Sequence, residues 1–109
     1  MSLILSIETA TPVSSVALHR NGTILADSHL FIIQTASSKL AVMIDEILNR
    51  CEVQPKELSA IAVSAGPGSY TGLRIGVASA KGLCFALEVP LIAVNTLESM
   101  VEQIEHHRI

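Results

Sequence analysis

Residues Gly66-Pro67-Gly68-Ser69-Tyr70-Thr71-Gly72 have the composition of a loop that cradles a phosphate. Glycines free the backbone, and an anion at a helix N-terminus meets unpaired N–H groups. The spacing nevertheless fails both stricter templates. A dinucleotide fingerprint requires glycine at relative positions one, three and six, and the sixth position here is Thr71. A Walker A loop ends in Gly-Lys-Ser/Thr, and no lysine follows. Pro67 removes a further donor. Two readings are left open: a structural turn that lets the next helix pack close to the sheet, and an anion held at the helix N-terminus.

Other chemistries find less support. A two-metal nuclease needs several carboxylates converging on its ions. Glu8 is the single acid on an expected central strand, and residues 60–66 offer none. His19 and His29 fall on strands, and no Gly-x-Ser-x-Gly elbow is present. Cys51 and Cys84 are isolated within apolar, helix-like segments and read as buried free thiols. There is no Cys-x-x-Cys, and His106 and His107, being adjacent, do not share a helix face. No metal site is expected.

The elements that must position these residues follow from periodicity. Leu3 to Thr9 is a short Ile-rich run suited to a strand buried on both faces. Ser15 to His19 and Thr23 to Phe31 flank an Asn21-Gly22 hairpin signal. Leu40, Ile44, Ile47 and Cys51 form one stripe of a helix over 37–51, with Ser37 or Ser38 as its cap. Pro55 to Leu58 is a turn, Ala60 to Ser64 a buried strand, and 66–70 a loop. A second helix over 71–87 has a sheet-facing stripe of Leu73, Val77, Ala80, Cys84 and Leu87. Beside it runs a stripe of Gly72, Gly76, Ser79 and Leu83. Pro90 to Val94 makes a fifth strand, and Thr96 to His106 a last helix capped by Asn95 or Thr96. The order βββαβαβα joins an antiparallel meander to parallel βαβ units, hence a mixed five-stranded α/β sheet of the ribonuclease-H-like kind.

Composition narrows the class. The 109 residues are enough for one core; half are apolar and 16% are charged, which disfavours disorder. The net charge is −3 and the basic residues are scattered, so the chain lacks the clustered cationic face that tight RNA binding requires. The longest apolar run, 82–94, is broken by Glu88 and Pro90 and falls short of a membrane span. No signal peptide is evident at the start, and a cytoplasmic location is expected.

The stretch Ser64-Ala65-Gly66-Pro67-Gly68-Ser69-Tyr70-Thr71-Gly72-Leu73-Arg74-Ile75-Gly76 resembles the signature of the TsaB (YeaZ) family. It is joined in the right order by Ile7-Glu8-Thr9-Ala10-Thr11 upstream and by Pro90-Leu91-Ile92-Ala93-Val94-Asn95-Thr96-Leu97 downstream. The resemblance implies a lobe of the actin/Hsp70-like ATPase superfamily, with residues 1–109 as a single N-terminal lobe and the family's second lobe missing, as in a fragment. In actin-like ATPases the first hairpin carries an acid for a metal, then donors for phosphates. Glu8, Thr9, Thr11, Ser14, Gly66 and Gly68 would be its vestige here, with Ala10 in place of glycine and Pro12 unable to donate.

The resemblance further implies a non-catalytic scaffold. It would pair with a TsaD-like transferase and a TsaE-like ATPase to place a threonylcarbamoyl group on adenosine beside the tRNA anticodon. ATP and Mg would then sit on the partners, tRNA would be met only through the complex, and no catalytic residue or cofactor of its own is expected. Without its partner the chain is expected to form a homodimer. The first and second helices would make the interface, with Lys39, Met43, Tyr70, Gly72, Arg74, Gly76 and Ser79 as its candidates. Small residues admit a neighbouring helix closely, although close packing inside the lobe is the alternative. Ala41, Val42 and Met43 fall outside the sheet-facing stripe and would add apolar surface. The rival readings are an actin-like ATPase or kinase using Glu8, Thr9 and Thr11, and a glycoprotease homologue with peptidase activity. One departure stands out: Ala36-Ser37 occupies the place where the family usually has His-Ser.

Overall fold

The computed structural model describes residues 2–9, 13–31, 37–66 and 70–95. Strand β1 (Leu3–Glu8) alternates buried and half-buried residues along its whole length. That period of two means that one face is fully covered and the other only partly. β2 (Val13–Arg20) and β3 (Thr23–Phe31) complete an antiparallel meander, with Leu5 opposite Leu18 and Ile7 opposite Val16. The hairpin between them turns at Asn21 and Gly22, both at positive φ (52° and 83°), as the Asn-Gly pair predicts. Asn21 also ties the turn to the chain start: its side-chain oxygen accepts from Ser2 N–H at 3.0 Å and its own N–H donates to Ser2 C=O at 2.9 Å.

Helix α1 (Ser37–Arg50) follows, then a 3-10 turn at Pro55–Glu57, strand β4 (Ala60–Gly66), helix α2 (Tyr70–Leu87) and strand β5 (Leu91–Asn95). β4 runs parallel to β1, and β5 parallel to β4, giving the sheet order β3-β2-β1-β4-β5. Ser59 aligns the first parallel pair: its hydroxyl accepts from Leu3 N–H at 3.0 Å, and its N–H donates to Leu3 C=O at 2.7 Å. Each helix ends in the same way. Glu52 and Glu88 adopt left-handed φ (57° and 56°), and the next N–H returns to the last turn, Val53 to Leu48 C=O and Val89 to Cys84 C=O. Gln54 N–H donates to Glu57 Oε2 at 2.6 Å, which starts the 3-10 turn.

The core lies between one face of the sheet and both helices. Leu5, Ile7, Leu18, Ile61 and Val63 from the strands meet Leu40, Ile44, Ile47, Ala80 and Cys84 from the helices. Burial of each large aliphatic side chain contributes about 1.5–3 kcal/mol. Two expectations change here. Met43 falls outside the sheet-facing stripe expected from the sequence but is buried at 6% exposure, because the buried face of α1 spans Leu40, Met43, Ile44, Ile47 and Leu48. A stripe a hundred degrees or so wide includes both the i+3 and the i+4 positions. β4 also runs on to Gly66, so the loop is shorter than composition suggested. The expected helix at 96–106 and Ala36 lie outside the described residues.

Candidate functional site

Strand alternation decides what becomes of the candidate phosphate turn. Ile7 and Thr9 point to the helix side, and Thr9 is 2% exposed. Ser14 is equally buried, at the start of β2. Glu8 points the other way and lines a basin on the opposite face of the sheet with Ser6, Ser15 and Ser64. Glu8 and the two buried hydroxyl residues therefore face opposite sides of the sheet. Gly66 closes β4, while Thr11 and Gly68 lie outside the described residues.

The small stripe of α2 divides in a comparable way. A side chain at Gly76 would run into Thr9 Oγ1, with Thr9 Cβ and Cγ2 at 3.4 Å. Gly76 is buried where α2 meets the end of β1, with no room for a side chain as Thr9 is placed. Ser79 is different. With Leu83, Ala78 and Gly82 it forms one wall of a groove between the helices, and Ala41, Ile44, Asp45 and Leu48 of α1 form the other. Leu5 lies at its floor, and the groove encloses about 480 Å³. A Cβ added at Gly82 would meet nothing within 4 Å.

The outer surface of this helical layer carries apolar side chains that the lobe does not cover. Val42 on α1 is 55% exposed and Phe85 on α2 is 88% exposed. Lys39, Ala41, Asp45 and Glu46 are exposed on α1, as are Arg74, Ala78 and Lys81 on α2. The exposed acids Asp45 and Glu46 are on α1, while the exposed bases divide between α1 (Lys39, Arg50) and α2 (Arg74, Lys81). Tyr70 and Gly72 belong to the first turn of α2. Sequence reasoning missed Phe85 and Gly82, because neither belongs to a periodic apolar stripe; the signal was an aromatic residue lying off the buried face.

Cys84, expected as a buried thiol, is buried and its Sγ lies 3.6 Å from Pro90 C=O. Burial pushes this thiol above its ordinary value, and a backbone hydrogen bond from Ile61 opposes the shift. Cys51 is half-buried and also free. No cluster of three or more His, Cys, Asp or Glu side chains suited to a metal occurs among the described residues. Among the same residues, no helix is long and apolar enough to cross a membrane.

Comparison with known proteins places these features in a family. The family described as "TsaD: tRNA N6-adenosine threonylcarbamoyltransferase" matches residues 33–108. The "tRNA threonylcarbamoyladenosine biosynthesis protein TsaB" of Bacillus subtilis is 38% identical over 94% of this chain and 45% of its own length. A "tRNA N6-adenosine threonylcarbamoyltransferase" of Pediococcus pentosaceus is 36% identical over 86% of this chain and 32% of its own. The solved structure of YeaZ from Pseudomonas aeruginosa superposes with a TM-score of 0.90 at 33% identity, over 98% of this chain and 50% of that one. The chain spans about half the length of the relatives it matches, or less. Its mixed five-stranded α/β lobe, its match to the transferase family and its likeness to YeaZ agree, and the chain belongs to the threonylcarbamoyltransferase family, on its TsaB (YeaZ) side.

Proposed function

We propose that this lobe is a non-catalytic scaffold in the threonylcarbamoylation of tRNA adenosine, pairing through α1 and α2 with a TsaD-like transferase. The groove between the two helices carries this reading. It is mostly apolar, with Asp45 and Ser79 as its polar residues, has small side chains at Ala41, Ala78, Ser79 and Gly82, and lies on the helices that carry the exposed Val42 and Phe85. Small residues let a partner helix approach, and exposed aromatic side chains next to such a groove have the character of interface anchors. A partner built on a related lobe would bring two helices of its own, so that four helices pack together.

Family kinship supports the choice of partner, since relatives of both kinds match this chain at similar identity. In this reading ATP and Mg belong to the transferase and to a TsaE-like ATPase, tRNA is engaged by the assembly, and the site of action is cytoplasmic. A homodimer through the same groove would form when the partner is lacking. Separation of Glu8 from Thr9 and Ser14 supports a scaffold over an ATPase, because the acid and the hydroxyls face opposite sides of the sheet.

The test is Gly82→Leu. Open space around Gly82 lets the lobe keep its melting temperature, while the new side chain fills the groove. Binding to a TsaD-like transferase, followed by calorimetry, is expected to weaken at least about tenfold, the equivalent of about 1.4 kcal/mol. Unchanged binding would remove the groove from the interface.

A further inference from the structure

β3 is an edge of the sheet: among the described residues, no strand pairs with its outer side. An edge strand turns a row of unpaired N–H and C=O groups outward, and folded proteins blunt such edges with proline, lysine or a bulge. Residues Thr23 to Phe31 contain neither proline nor lysine. The one register shift lies near the hairpin, where Leu25 has no partner on β2, and it leaves 26–31 in regular pairing with Leu18 to Val13.

Along this regular run the two faces differ. Ala26, Ser28 and Leu30 are half-buried, while Asp27 and His29 are exposed. Ala26 and Leu30 pack toward the core, and Asp27 and His29 stand on the opposite face, with His29 Nε2 3.7 Å from Asp27 Oδ2. The run is complementary to itself about Ser28. A two-fold axis through Ser28 and perpendicular to the sheet sets two copies of β3 antiparallel. Asp27 then faces His29 of the other copy, Ala26 faces Leu30, and Ser28 faces itself. Carboxylate meets imidazole, a small apolar side chain meets a larger one, and two short hydroxyl side chains meet on the axis. The neighbouring registers lose this match. An axis at Asp27 opposes two carboxylates, and an axis at His29 opposes two imidazoles. Like groups directly opposite each other weaken a strand pair and unlike charges support it, so charge selects one register.

We propose that β3 is a docking edge for a second copy of this chain, paired antiparallel about Ser28 so that two five-stranded sheets become one. The contact uses the sheet edge and is separate from the groove between α1 and α2.

The test is run on the 109-residue chain carrying Gly82→Leu, which fills the groove and keeps association through the helices out of the measurement. In sedimentation, adding His29→Asp gathers four carboxylates around the axis and should raise the dissociation constant at least about tenfold. Adding Asp27→His as well restores the pairs in reversed order and should return the constant to within about threefold of the parent. Both positions are exposed, so the melting temperature should not change. A monomeric parent, a His29→Asp variant that associates as the parent does, or a swap that fails to rescue would each overturn the proposal. A second readout is disulfide formation, with peptide mapping to set aside Cys51 and Cys84. Ser28→Cys should oxidise to a disulfide-linked pair of chains, and Thr23→Cys, on the same strand but away from the axis, should not. No cross-link at Ser28→Cys, or equal cross-linking of the two variants, overturns it.

Discussion

Gly76→Ala tests the approach of α2 to the end of β1. The added methyl would collide with Thr9 Oγ1 and would touch Thr9 Cβ and Cγ2 at 3.4 Å. Thr9 is β-branched and 2% exposed at the end of the central strand, so its side chain can make room only by a rotation that gives up its buried packing. Overpacking of this kind costs about 1–3 kcal/mol. Replacing glycine inside a helix returns about 1 kcal/mol of propensity. The net change lies between about zero and a loss of 2 kcal/mol, and a domain of this size loses about 4 °C in melting temperature per kcal/mol. Thermal unfolding followed by circular dichroism reads the sum, and a double-mutant cycle with Thr9→Ala isolates the contact. Shortening Thr9 should recover stability, with a coupling of about 1 kcal/mol or more. A melting temperature raised by about 4 °C in Gly76→Ala, as propensity alone dictates, together with zero coupling to Thr9, would refute the contact.

Further outcomes follow from the helix ends and the buried thiol. Glu52→Gly and Glu88→Gly should each stabilise the lobe by about 0.5–1 kcal/mol, since both glutamates hold the left-handed position that glycine adopts without strain; a lower urea midpoint in either variant would contradict this. Cys84 is held above its ordinary value of 9.0 by burial, so the unfolded chain loses this proton first as pH rises. Stability should therefore be unaffected by this group below pH 9.0 and fall above it, and Cys84→Ala should flatten that alkaline slope in urea titrations.

Much of the fold was legible in one dimension because its signals are local. The Asn21-Gly22 hairpin, the Leu40/Ile44/Ile47 stripe and the alternation of apolar residues in β1 each depend on neighbours within a few positions. The long string from Ser64 to Gly76 carried the family, because a run of that length and composition is specific in itself. What stayed hidden depends on residues far apart in the chain. Met43 and Val42 are both apolar and adjacent on one helix, yet only packing against the strands buries the first and leaves the second exposed. Gly76 and Ser79 read as members of one small stripe, whereas packing sends one against Thr9 and the other, less than one turn later, into the groove with α1. Glu8 and Thr9 read as neighbours in a single motif, and the period of two in a strand sends them to opposite faces of the sheet. Sequence by itself determined which elements form and in what order; only the tertiary structure decided which faces meet, because that depends on contacts between residues distant in the chain.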